Sequence, residues 1–182
     1  MIIASVAVIP GCRRAPEEPP EATPVVDVGP RPVLTVLELP QHNPELGFGL
    51  SSAPPGLVAT FNEGASLEIT DERRPALRYT FAADLPGSPS RSPSSVAAFE
   101  TFIGKHNDGR LVDSGSLETA LGPSTWADGT YFEEETSFSD LRVFAPHPSG
   151  SGTLVLSAVC PSSEATVEER LAVIRQLLAE VS

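Results

Sequence analysis

The stretch from Gly152 to Val181, GTLVLSAVCPSSEATVEERLAVIRQLLAEV, carries the two periodicities that decide the fold. Its first part, TLVLSAV, is an apolar run that reads as a strand leading directly to Cys160. Thr166 and Glu169 then form a capping box: the threonine hydroxyl accepts from the third helical N–H while the glutamate reaches back to the cap. Beyond it Val167, Leu171, Ile174, Leu178 and Val181 recur at spacings of three and four and line one side of a helix. A strand followed by a helix with one apolar stripe predicts a sheet with that helix laid against it.

Upstream, LRVFAP (141–146) is joined to this strand by HPSGSG (147–152), whose serines and glycines suit a hairpin. ALRYTFA (76–82) puts Leu77, Tyr79 and Phe81 on one side and Arg78 and Thr80 on the other, a half-buried strand. LVATF (57–61) and ASLEIT (65–70) flank a turn in which Gly64 takes a positive φ. LGFGL (46–50) alternates Leu46, Phe48 and Leu50 and ends at the breaker SSAPPG, and VLTVLEL (33–39) reads as an edge strand or linker end. SSVAAFETFIGKHNDG (94–109) predicts an amphipathic helix with Val96, Phe99 and Ile103 inward, Ser94 or Ser95 as cap and Gly109 just past its end. PGSPSRSPSS (86–95) and SGSLETALGPSTWADG (114–129) read as irregular. Strands, helix, strands, helix, with sequential hairpins, define an α+β fold: an antiparallel β-sheet flanked by helices, closed by the C-terminal amphipathic helix.

With that order in place, NPELGFGLSSAPPGL (43–57) is similar to the opening strand and proline-rich turn of the PsbP-like group, and residues 152–181 to its last strand, acidic loop and closing helix. That group includes photosystem II extrinsic proteins, a nuclear-import factor and many bacterial lipoproteins. The resemblance implies a sandwich built on a central antiparallel sheet, and a noncatalytic protein acting as an assembly factor, binding partner or adaptor.

The first 11 residues contain the apolar run IIASVAVI (2–9), too short to span a bilayer and suited to the hydrophobic part of an export signal. VIPGC resembles a lipobox, in which Cys12 becomes the lipidated first residue of the mature chain. No basic residue precedes the run, so the signal is expected to be degenerate or the true start to lie upstream. RRAPEEPPEATPVVDVGPRP (13–32) has six prolines in 20 residues and no aromatic, so it buries too little to offset its ordering entropy. The expected organisation is a signal segment at 1–11, a lipidated cysteine and Pro/Glu-rich tether at 12–40, and one globular domain at 41–182. The expected location is the cell envelope, anchored on its extracytoplasmic side, periplasmic or outer.

The chain has 182 residues and a net charge of −12, which repels a phosphate backbone, so no nucleic-acid partner is expected. No phosphate loop occurs and Lys105 is the only lysine, so no nucleotide is expected either. The serines lack the setting of a nucleophile elbow. His42, His106 and His147 fall in three loop-like contexts and are expected to be solvated. Cys160 reads as a small buried hydrophobe, and His106, Asp108 and Cys160 would need a shared deep pocket to suggest catalysis. The expectation is no enzyme and no cofactor, with an unidentified envelope protein as partner and membrane attachment through Cys12.

The alternative is a small-ligand or metal-ion module. On a strand Glu133 and Glu135 would share one side, roughly 7 Å apart, and with Asp140 could hold calcium; the alternative reading of the three adjacent glutamates is a solvated strand face. Trp126 and Tyr131, with Phe132, are candidates for an aromatic binding surface or for core packing.

Overall fold

The structure, a computed structural model, describes residues 35–87 and 92–182. The expectations placed on Cys12 and on the first part of the tether lie outside these residues.

Nine strands and two helices follow in the order β1 (Gln41–Asn43), β2 (Phe48–Leu50), β3 (Leu57–Glu63), β4 (Ser66–Asp71), β5 (Arg78–Asp84), α1 (Val96–Ile103), β6 (Arg110–Thr119), β7 (Gly122–Glu133), β8 (Thr136–Pro146), β9 (Thr153–Pro161) and α2 (Val167–Ala179). β3 to β9 form one antiparallel sheet in the order β3-β4-β5-β9-β8-β7-β6, and β1 and β2 form a separate hairpin. The large sheet is two meanders, β3-β4-β5 and β6-β7-β8-β9, that meet where β5 pairs with β9. The connection through α1 therefore carries the chain from the middle of the sheet to its far edge. The fold is α+β, as the sequence leads one to expect.

The alternation of β5 is borne out: Leu77, Tyr79 and Phe81 are buried, while Arg78 is exposed. They face α2, together with Leu67, Ile69, Leu141, Val143, Leu154, Leu156, Ala158 and Cys160, and this layer is the main core. The capping box of α2 has both its hydrogen bonds, Glu169 N–H to Thr166 Oγ1 at 3.2 Å and Thr166 N–H to Glu169 Oε2 at 2.9 Å. The end of α2 is tied to β2: Gly49 and Ser182 exchange N–H to carbonyl bonds at 2.8 and 3.0 Å. Leu37 donates to the Ala59 carbonyl at 2.7 Å, and Leu37 and Leu39 pack on the core, so contacts with the domain begin inside the segment expected to be tether.

The opposite side of the sheet is covered by α1 over a smaller cluster of Phe99, Ile103, Ala127, Phe144 and Val155. Ser95 caps α1, its hydroxyl accepting from Ala98 N–H at 3.3 Å. The helix stops at Gly104, five residues before the expected Gly109.

The segment 114–129, expected to be irregular, is instead most of the β6–β7 hairpin. Two of its three glycines are there for closeness, while Gly122, at φ +111°, serves the turn between the two strands. A Cβ at Gly115 would lie 2.8 Å from the Trp126 indole nitrogen, and one at Gly129 would lie 2.9 Å from Ile103 Cγ1 and 3.2 Å from Phe99 Cζ. The glutamate run is also corrected: Glu133 pairs with Thr136, so Glu134 and Glu135 are the two turn residues of a tight hairpin, with Glu134 at φ +54°. His147 is corrected too, being buried rather than solvated.

Candidate functional site

β6 is an edge strand of ten residues that pairs only with β7 among the described residues. Trp126 of β7 stands opposite Gly115 of β6, and the missing side chain lets the indole lie across the edge strand toward its open side. The indole is half-buried against the main core. Its N–H has no hydrogen-bond partner among the described residues, and solvent reaches it, because no fully buried side-chain nitrogen or oxygen there lacks a partner. Alongside, Ser116, Leu117 and Glu118 of β6 and Arg175 of α2 line an open groove of about 600 Å³. Arg175 and Arg110 are exposed and make no ion pair among the described residues. Val112, at the bulge between Leu111 and Asp113, is 55% exposed, and Phe132 just past the pairing is 43% exposed.

Trp126 and Tyr131 do not share a surface. Five residues apart on one strand, they point to opposite sides: Trp126 joins the α2 layer and Tyr131 the α1 layer. Tyr131 belongs to a row of rings running Phe99, Phe102, His106, Tyr131, Phe138, with neighbouring centroids 4.8 to 6.4 Å apart. The Arg142 guanidinium sits 4.9 and 4.6 Å from the Phe99 and Phe102 ring centres and holds Asp140 with three contacts of 2.8 to 3.1 Å.

That pairing also removes the expected calcium set. Both Asp140 oxygens are engaged by Arg142, Glu133 ends a strand and Glu135 is in a turn, and among the described residues no three His, Cys, Asp or Glu side chains group to hold a metal. His106 and Cys160 are likewise apart, one in the aromatic row over the α1 side and the other in the core under α2. Burial pushes the Cys160 thiol up, against a smaller pull from Arg170, so the thiol is protonated and inert at neutral pH.

Two buried polar clusters escape sequence reasoning. Arg170 is 1% exposed, although an arginine beside Glu168 and Glu169 reads as part of a solvated helix start. Its Nη2 donates to Asp128 Oδ1 at 3.1 Å and to Ser139 Oγ at 2.8 Å, and Nη1 donates to the Ala158 carbonyl at 3.2 Å. Its position one turn before Ile174 is the signal that places it inward. Burial raises the Asp128 carboxyl above its ordinary value, with Ser139 and Arg170 opposing. His147 is fixed as the Nε2–H tautomer, since Nε2 contacts the Leu46 carbonyl at 2.8 Å and Nδ1 accepts from Ser149 N–H at 3.2 Å. A second cleft, of about 520 Å³, lies between the Pro54–Leu57 turn, Arg73 and Arg74, and α2. There Arg74 is tied to Asp71 at 3.0 Å and approaches Glu169 at 3.9 Å.

The order of sheet and helices is that of an α+β sandwich of the kind the PsbP-like resemblance implies. Three solved structures are among those similar to the chain. The cyanobacterial PsbP, CyanoP, of Synechocystis sp. PCC 6803 has 8% identity and a TM-score of 0.47, over 79% of this chain and 91% of its own. The Ran-binding protein Mog1p of Saccharomyces cerevisiae has 10% identity and a TM-score of 0.46, over 73% and 86%. LpqN of Mycobacterium tuberculosis, involved in cell envelope biogenesis, has 14% identity and a TM-score of 0.45, over 74% and 82%. No family model and no curated protein matches the sequence. No helix among the described residues is long and apolar enough to cross a membrane.

Proposed function

We propose that the chain is a noncatalytic, lipid-anchored cell-envelope protein that acts by binding another envelope protein, in an assembly or adaptor role. The observation that carries this reading is the open β6 edge with the Trp126 indole laid across it and solvent at its N–H. A half-buried tryptophan beside unpaired strand backbone is the type of residue that anchors a protein partner. The lipobox-like VIPGC and the Pro/Glu-rich segment after it support attachment through Cys12 and reach from the membrane.

The test is fractionation and crosslinking in the native host. Cys12→Ser should move the protein to the soluble fraction with its thermal unfolding unchanged, and a photo-crosslinking residue on the anchored protein should capture one discrete envelope protein. Retention of Cys12→Ser in the membrane would contradict the anchor. Absence of any captured protein from positions spread over the whole surface would contradict the binding role.

A further inference from the structure

The binding reading leaves open how the partner is held, and the β6 edge has chemistry specific enough to say. An antiparallel edge strand presents unpaired backbone groups to an incoming strand. The other edge of the sheet, β3, is partly occupied, because Leu37 bridges to Ala59. β6 carries neither proline nor lysine to discourage addition, and over Asp113 to Thr119 it pairs with β7 without a break.

Side-chain parity sorts what a new strand would meet. Asp113, Gly115 and Leu117 pair with Asp128, Trp126 and Ser124, so they lie on the α2 side. A strand added antiparallel to β6 would set one α2-facing side chain over Gly115, against the Trp126 indole. The α2-facing side chain two residues earlier in that strand would sit over Leu117, in the groove beneath Arg175. Of the two charged residues lining the groove, Arg175 of α2 makes no ion pair among the described residues, while Glu118, which alternates with Leu117 and pairs with Pro123, has its side chain on the α1 side; the Asp113 carboxylate accepts from its neighbour Ser114 N–H at 2.8 Å. The groove therefore favours a carboxylate at the Leu117 position and an apolar residue at the Gly115 position.

We infer that β6 receives an extended segment of the partner protein by antiparallel strand addition, with an acidic side chain under Arg175 and an apolar one on Trp126. The mode rests on the reading of the protein as a partner-binding domain and deepens it.

Trp126 is the one tryptophan of the chain, so its emission reports on this site alone. The probe is the peptide acetyl-Thr-Glu-Thr-Val-Thr-Val-Thr-amide, titrated into the full-length protein beside a version with lysine for glutamate and one N-methylated at alternate residues. The glutamate peptide should shift Trp126 emission saturably and bind about two- to fivefold tighter than the lysine peptide, the range of an exposed ion pair. Arg175→Glu, an exposed substitution whose fold is checked by circular dichroism, should invert that preference. The N-methylated peptide, deprived of ladder donors, should leave the emission unchanged. Unchanged emission with the glutamate peptide, equal binding by the N-methylated peptide, or a preference indifferent to Arg175→Glu would each overturn the mode. So would an emission shift produced by raising the protein concentration alone, which would make the occupant a second copy. Photo-crosslinkers at Val112 and at Phe61 separate the two claims: capture from Phe61 but not from Val112 overturns strand addition and leaves the binding role standing, whereas capture from neither counts against both.

Discussion

Arg170 of α2 and Asp128 of β7 form an ion pair of 3.1 Å that is almost wholly shut off from solvent, 1% and 4% exposed respectively. It joins the closing helix to a strand in the outer half of the sheet, and Ser139 bonds to both partners, to Asp128 at 2.8 Å and to Arg170 at 2.8 Å. A helix held by apolar packing alone could slide along its stripe, but a guanidinium with five donors to place fixes both register and rotation. Charge burial makes such a pair weak evidence for net stability, while its loss by halves is costly.

Arg170→Met should therefore destabilise the domain by about 3–5 kcal/mol, because the Asp128 charge is left buried and alone. The double variant Arg170→Met with Asp128→Leu should recover much of that loss. Urea unfolding of the two single variants and the double variant measures it, and additivity of the two single losses would contradict the coupling.

Gly115→Ala should cost about 1–3 kcal/mol, since the new methyl must displace the indole whose nitrogen lies 2.8 Å from the Cβ position. Because the ring moves, Trp126 emission should change in the folded protein as well as the midpoint of unfolding. A variant with native emission and native stability would show that the indole does not lie across this edge.

Cys160 should resist thiol reagents at neutral pH while the domain is folded, being both buried and held protonated. Its labelling rate should rise only with unfolding, tracking the denaturant curve. Fast labelling in native buffer would place the end of β9 in contact with solvent.

Tyr79 should titrate at about 12, because burial disfavours its phenolate. With the folded value above the unfolded one of 10.0, the stability it contributes is complete below the unfolded value and is lost as pH rises through the folded one. Alkaline unfolding should consequently steepen between these values, and Tyr79→Phe should flatten that limb. Spectrophotometric titration of the two tyrosines, Tyr79 and Tyr131, reads the shift directly, and ionisation of Tyr79 near its unfolded value would contradict its burial.

The legible parts of the fold are those in which one period governs the segment. β5 alternates cleanly, α2 repeats at three and four behind a capping box, and both match the structure because burial against a single layer imposed those periods. The β6–β7 hairpin is hidden because its glycines and serines look like loop composition, whereas Gly115 and Gly129 are small only to let Trp126 and α1 approach. The glutamate run is misread for the opposite reason: three identical residues carry no period, so nothing marks Glu134 and Glu135 as the turn between two strands. Of the candidate site, Trp126 is legible as an aromatic of interest, but its pairing with Tyr131 fails on parity, an odd separation along a strand. Arg175 and the open edge depend on where β6 ends up in the sheet, a consequence of the α1 crossover that no local pattern records.

The measurement that tests the account most directly is the intact mass of the protein purified from the membranes of its own host. A mass matching a chain that begins at Cys12 and carries diacyl or triacyl lipid is the predicted result, and it would put the Trp126 edge on a tethered domain within reach of envelope partners. A mass matching an unmodified chain that begins at Met1 would contradict the lipid anchor and with it the envelope role.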